Sequence, residues 1–288
     1  MMSKVIVTDA LMVHGDSIVL HPSLAPWQQR LLRMHQAWSK ALMQTPLSVY
    51  AAILNVAPAS LMAQIFAQEI ENAAQVCVVS PFHARLTRSS LRVMPDEMLD
   101  VSAENAAELC EVLNPLLTED GLQLIAHGRT LLLTCDREWD VQIPDFAEIS
   151  GQSLPETMPQ GQDGGQWMRL ISEMQMMLHQ HPIITPTGLP ILGLWAWGKG
   201  DGQNIDVSAA KGVATRSPNL LAWSQFTGKD ENAEMMITEA AYVPELLKAE
   251  APMPKVWQLQ GGGKRVDLTS SLLTACLSRF KKPSWQGK

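Results

Sequence analysis

Residues 159–200, PQGQDGGQWMRLISEMQMMLHQHPIITPTGLPILGLWAWGKG, decide how the rest of the chain is read. A glycine-rich approach leads to Asp163, which with Gln166 three residues on predicts a capping box at a helix start. Trp167, Leu170, Ile171, Met174, Met177 and Leu178 recur at helical spacing, and with His181 they fill an arc of roughly 120° on a 3.6-residue wheel. Gln166, Arg169, Glu173 and Gln180 take the opposite side. Pro182 stops the helix, because it has no N–H and disfavours helical geometry in the residue before it. After a Pro/Thr/Gly loop, ILGLWAW is too short to cross a membrane and reads as a buried strand closed by Gly198-Lys199-Gly200. Trp195 and Trp197 fall on one face of that strand by its period of two, and the helix face of Trp167, Met174 and Leu178 is the nearest apolar surface. The expectation is burial of both indoles against the helix. The rival is an open ligand cleft lined by the two tryptophans beside Lys199.

Bulk properties set the frame. With 288 residues, 46% of them apolar and 18% charged, the chain has enough material for one large or two ordinary globular domains. A net charge of −7 disfavours a surface that tracks nucleic-acid phosphates. No run approaches the roughly 20 apolar residues of a membrane span, and the N-terminal MMSKVIVTDALMVHGD lacks the make-up of a signal peptide. A cytoplasmic protein with neither nucleic-acid nor membrane partners is expected. Cys77, Cys110, Cys135 and Cys276 are dispersed without zinc-site spacing, so free and mostly buried thiols are expected.

Outward from the central stretch, strands and helices alternate, which argues for an α/β or α+β sheet protein, and the expected class is α/β with a mixed sheet flanked by helices. SKVIVTDALM opens as a buried strand ending near Asp9. Trp27, Leu31, Met34, Trp38, Ala41 and Leu42 predict one helix from Ser23 to about Gln44, and two further helices follow, the second from Pro58. VCVV reads as a buried strand leading into SPFHARLTRSSLRV, where His83, Arg85 and Arg88 are either functional residues or the polar positions of a half-exposed strand. Ser102 caps a helix whose core face is Ala106, Leu109, Cys110, Leu113 and Leu117, with Pro115 expected to kink or shorten it. GLQLIAHGRTLLLTC is a hairpin turning at His127-Gly128. Residues 136–165 read as a long loop. Beyond Gly200 come strands at KGVATR, AEMMITEA and PKVWQLQ, a helix capped by Ser217, and a glycine turn, QGGGKR. That turn is either a hairpin tip or an anion cradle with Lys264.

Trp167, Leu170, Glu173, Gln175, Met176, Leu178, His179, His181, Pro182, Gly188, Leu189, Pro190, Trp195, Trp197, Gly198 and Gly200 keep the order and spacing of a segment in bacterial RpfE-type regulatory proteins. The chain resembles that family, itself similar to the archaeal-type cofactor-independent phosphoglycerate mutases of the alkaline-phosphatase-like superfamily. The resemblance implies a reduced alkaline-phosphatase-like fold. Its α/β core would be residues 1–75 plus 188–288, with 76–187 as a smaller, cap-like α+β insertion ending in the central helix. It also implies a position for a first metal ligand at Asp9. Departures matter equally. The family's Asn after His-Pro is absent at Ile183-Ile184, its loop Arg is missing, and two of its Asp positions are Ser80 and Ser89.

The remaining catalytic chemistry is thin. There is no G-x-S-x-G elbow, P-loop or H-E-x-x-H. No histidine follows His181, and no Asp-His dipeptide occurs, which leaves a metal pair short of ligands. His179 and His181 diverge by about 200° on a helix, so they chelate only if His181 swings into the loop. The expectation is a non-catalytic RpfE-type protein without a cofactor, acting through a protein partner or a small anionic ligand. The ligand candidates are His83, Arg85, Arg88, His179, His181, Trp195, Trp197 and Lys199. The alternative is a phosphoglycerate mutase-like or phosphatase-like enzyme holding a divalent metal, with Asp9 as a ligand.

Overall fold

Val5, Ile6 and Val7 are buried on both faces of their strand, the mark of a strand inside a helix-covered parallel sheet. The structure, a computed structural model, describes residues 3–14, 17–66, 70, 73–86, 91–94, 98–153, 159–202, 212–215, 220, 233–247 and 253–270. In chain order its elements begin with β1 (Lys4–Val7), β2 (Leu11–His14), β3 (Ser17–Leu20), α1 (Gln28–Leu32), β4 (His35–Lys40), α2 (Pro46–Leu54), α3 (Pro58–Ala63), β5 (Gln75–Phe82), β6 (Ala84–Leu86) and β7 (Leu91–Val93). They continue with α4 (Ala103–Leu117), β8 (Leu122–His127), β9 (Thr130–Cys135), α5 (Phe146–Ile149), α6 (Gly164–Gln180), β10 (Gly193–Gly200), β11 (Val213–Thr215), β12 (Met235–Thr238), α7 (Val243–Leu246), β13 (Val256–Gly261) and β14 (Lys264–Thr269). The fold is mixed α/β. Among the described residues no single helix is long and apolar enough to cross a membrane. Chain contacts separate two units, Met1–Tyr50 with Asp206–Lys288, and Ala51–Ile205.

The first unit holds a mixed sheet in the order β11-β12-β1-β13-β14-β4. β11, β12, β1 and β13 run parallel, and β14 and β4 join antiparallel. The N-terminal strand thus lies between strands from the last third of the chain. Trp27, Leu31, Trp257, Leu259 and Val266 pack with Val5 and Val7 in one core. The helix expected from Ser23 to Gln44 is not continuous. Arg33 and Met34 donate back to Arg30 and Leu31, which tightens and ends α1, and the chain becomes β4. Trp38 fits the helical spacing but sits opposite Val266, so pairing with β14 overrides the local pattern. The QGGGKR turn is a hairpin tip. Gly261, Gly262 and Gly263 all have positive φ, and a Cβ on Gly261 would meet the Leu11 carbonyl oxygen at 2.2 Å. The helix expected after Ser217 and the position of Arg88 lie outside the described residues.

The second unit is built on an antiparallel sheet, β10-β5-β9-β8. β10 pairs with β5, Trp195 opposite Ser80 and Trp197 opposite Val78. The sequence reading divides the chain at 75/76 and 187/188; the contacts divide it at 50/51 and 205/206, because this pairing holds β10 with β5 in the second sheet. α4 and α6 cover one face, where Leu109, Leu113, Leu133, Trp167, Leu170, Met174 and Leu178 form a core. Ser102 and Asn105 make a reciprocal capping box at the start of α4, and the helix runs past Pro115 to Leu117. Asn114 reaches the outer strand β8, donating to the Leu124 carbonyl at 3.0 Å and accepting its N–H at 2.8 Å. α6 packs against β10 as expected, but through the other face of the strand. Leu194 and Ala196 join the core of Trp167 and Met174, whereas Trp195 and Trp197 point the opposite way. Both indoles are nonetheless buried, and each N–H is bonded, Trp195 to the Pro144 carbonyl at 3.0 Å and Trp197 to Ser80 Oγ at 2.9 Å.

Candidate functional site

Because β5 runs antiparallel to both β9 and β10, its first residue shares one end of the sheet with the last residues of the other two. Gln75, the loop after Cys135 and the Lys199–Asp201 segment meet there. The loop before α6 joins them. The Asp163 N–H donates to the Asp140 carbonyl at 3.1 Å, and the Gln162 N–H to Asp140 Oδ2 at 3.0 Å. Gly161 makes this crossing possible, since a Cβ there would lie 2.1 Å from the Asp140 carbonyl oxygen. Between these segments lies an open cleft of about 630 Å³, walled by Gln75, Arg137, Glu138, Trp139, Asp140, Gln162, Asp163, Lys199 and Asp201.

Its walls are tied together by charge. Arg137 donates to both Asp163 carboxylate oxygens, at 3.1 and 3.2 Å, and to Gln166 Oε1 at 3.2 Å. Its guanidinium lies 4.0 Å over the Trp139 ring. Trp167 meets the same ring edge-on, centroids 5.3 Å apart. Asp163 heads α6 without capping it. Its carboxylate instead takes Arg137 and the Asp140 N–H, so the expected capping box does not form. Those same bonds, from Arg137 first and then Asp140, hold the Asp163 carboxyl below the usual carboxylate range. Lys199 Nζ donates to the Trp139 carbonyl at 3.4 Å, and the Trp139 N–H to Gln75 Oε1 at 2.9 Å. Two cations thus face four carboxylates, Glu138, Asp140, Asp163 and Asp201.

The candidates named from sequence scatter. Lys199 lies in the cleft, and Trp197 lines a smaller cavity next to it. His83 is tied by Nδ1 to the Pro190 carbonyl at 2.9 Å, fixing the approach to β10. Arg85 is exposed on β6. His179 and His181 are exposed at the far end of α6, about 25 Å from its start at 1.5 Å per residue. The apolar arc therefore stops short of His181. Asp9, in the first unit, follows β1 and accepts the Ala240 backbone N–H. Among the described residues no three His, Cys, Asp or Glu side chains gather as a metal ion requires. Arg137, Trp139 and Asp140 were not singled out from sequence. Their signal is a charged and aromatic cluster, Arg137-Glu138-Trp139-Asp140, inside an otherwise Gly/Pro-rich loop.

No protein-family model matches the chain, and no curated protein matches it. Two solved structures are similar to it. One is the cofactor-independent phosphoglycerate mutase from Thermoplasma acidophilum, 12% identical at a TM-score of 0.37, the match covering 96% of this chain and 94% of that one. The other is the PH0037 protein from Pyrococcus horikoshii, 10% identical at a TM-score of 0.38, covering 93% and 87%. These likenesses are too distant to carry a site or a reaction.

Proposed function

We propose that the chain is a non-catalytic regulatory protein of the RpfE type that binds a small ligand or a protein partner in the cleft at the start of α6. The supporting observation is how the polar candidates are used. Asp9 receives a backbone N–H, His83 faces a backbone carbonyl, and the Trp195 and Trp197 indoles bond Pro144 and Ser80. A catalytic acid or base must instead reach its substrate within hydrogen-bond distance. The cleft has the volume of a small-molecule site, within the usual range of about 300–1,000 Å³. Four carboxylates against two cations disfavour the purely anionic ligand expected from sequence. The ligand proposed here carries an ammonium or guanidinium group for the carboxylates and one acidic group for Lys199.

The test is equilibration of purified protein with manganese or zinc, followed by metal analysis and assays for mutase and phosphatase turnover. Less than one bound metal per chain and no turnover are expected, for the native protein and for Asp9→Asn alike. Two tightly held metals, with turnover abolished by Asp9→Asn, would establish the metal-dependent enzyme instead.

A further inference from the structure

Cys77 and Cys135 are far apart in sequence, and the pairing of β5 with β9 brings them together. Gln75 lies opposite Cys135 and Cys77 opposite Leu133, so the two cysteines stand two positions apart on neighbouring strands, on one face of the sheet. Both are free, and both are 1% exposed. Three polar groups converge on the Cys77 sulfur in surroundings otherwise apolar. Gln75 Nε2 reaches it at 3.5 Å, Cys135 stands beside it on the same face of the sheet, and the Lys199 ammonium adds positive charge. A cavity of about 20 Å³ touches the same residue, walled also by Val141, Ile143, Trp197, Gly198 and Lys199. That is room for a molecule of one or two oxygen atoms and not for a tripeptide.

We propose that Cys77 and Cys135 form an oxidisable dithiol, in which Cys77 attacks hydrogen peroxide admitted by the small cavity and Cys135 closes the product to an intrachain disulfide. The Cys77 thiolate forms a sulfur–oxygen bond as the peroxide O–O bond breaks, and the hydroxide released leaves as water after taking a proton. Cys77 is then a sulfenic acid. The Cys135 sulfur attacks the Cys77 sulfur, the S–S bond forms, the S–O bond breaks, and the second hydroxide leaves as water with the Cys135 proton. Two thiols lose two electrons and one peroxide becomes two waters. The division of roles follows the neighbours of each thiol. Interaction with Cys135, then the Gln75 amide at 3.5 Å and the charge of Lys199, pull the Cys77 thiol down against its burial, while interaction with Cys77, burial and the neighbouring Asp136 push Cys135 up. Cys110 is the internal control, since burial and Glu111 push its thiol up to about 11.

Native protein is treated with hydrogen peroxide, alkylated, digested and mapped by mass spectrometry. The expected result is a crosslinked peptide pair carrying Cys77 and Cys135, reversed by dithiothreitol, with Cys110 alkylated as in untreated protein. In Cys135→Ser, dimedone should trap a sulfenic acid at Cys77; in Cys77→Ser, neither crosslink nor adduct should form at Cys135. Glutathione disulfide should leave Cys77 of the folded protein unmodified. The proposal is overturned by wild-type protein that yields no such pair, by a dimedone adduct on Cys135 in place of Cys77, or by glutathione disulfide modifying Cys77 as fast as peroxide does. The wild-type mapping stands whether or not either variant folds.

Discussion

The two ends of α6 are both polar, and they differ in everything else. At its start, Asp163 and Gln166 bond Arg137, and Gln166 and Arg169 reach back to Asp120. Trp167, one turn in, is buried edge-on against Trp139. At its finish, His179 and His181 stand exposed, and neither imidazole bonds a described residue. The histidines are the residues that draw the eye in sequence, yet the site forms where loops from three strands converge on the other end. Convergence of separate segments, not the chemical type of one residue, builds a cleft.

The sharpest break of this comparison is Trp167→Ala. Truncating a buried core aromatic costs about 3–5 kcal/mol, and Trp195→Ala on the far face of β10 should fall in the same range. Urea denaturation measures both. A loss below about 1 kcal/mol for Trp167→Ala would mean that the start of α6 is not a packed end at all.

A smaller effect is expected from the charged wall. Asp163 has its carboxyl lowered in the folded protein by Arg137 and the Asp140 N–H. Its contribution is therefore complete above the unfolded value of about 3.9 and is lost as pH falls through the lower folded value. An NMR titration should show the Asp163 carboxyl protonating below that of an unfolded peptide in native protein, and at higher pH in Arg137→Ala, where only the Asp140 N–H still lowers it. Equal titration in the two proteins would remove Arg137 as the group that sets this wall.

The least change is expected at the far end. His179→Ala and His181→Ala, singly or together, should alter stability by no more than about 0.5 kcal/mol, the usual range for exposed positions. A calorimetric shift well beyond that in the double variant would show that this end also holds the fold.

Features written in short-range pattern were legible. The body of α6, the Ser102 cap, the β8–β9 hairpin and the glycine turn before β14 each rest on residues within a few positions of one another. Features that need a distant partner were not. Leu31, Met34 and Trp38 keep a helical spacing, and only β14 alongside makes the latter part a strand. Alternation told that Trp195 and Trp197 share a face, but not which face meets α6; both faces are apolar, and Leu194 and Ala196 prove to be the pair that does. Asp163 looked like a cap because its rival partner, Arg137, lies 26 positions away. Among the described candidate residues Lys199 alone lies in the cleft, and the thiol pair had no local signal whatever.

Asn114 has a consequence of another kind. β8 is an outermost strand, and the outer edge of a sheet presents unpaired N–H and carbonyl groups to any extended chain that arrives. At Leu124 both groups are already bonded by the Asn114 amide, which imitates a neighbouring strand with a single side chain. An incoming strand must break both bonds before it can add there. One amide on a covering helix thereby guards this edge against the strand-to-strand aggregation that open sheets invite at high concentration.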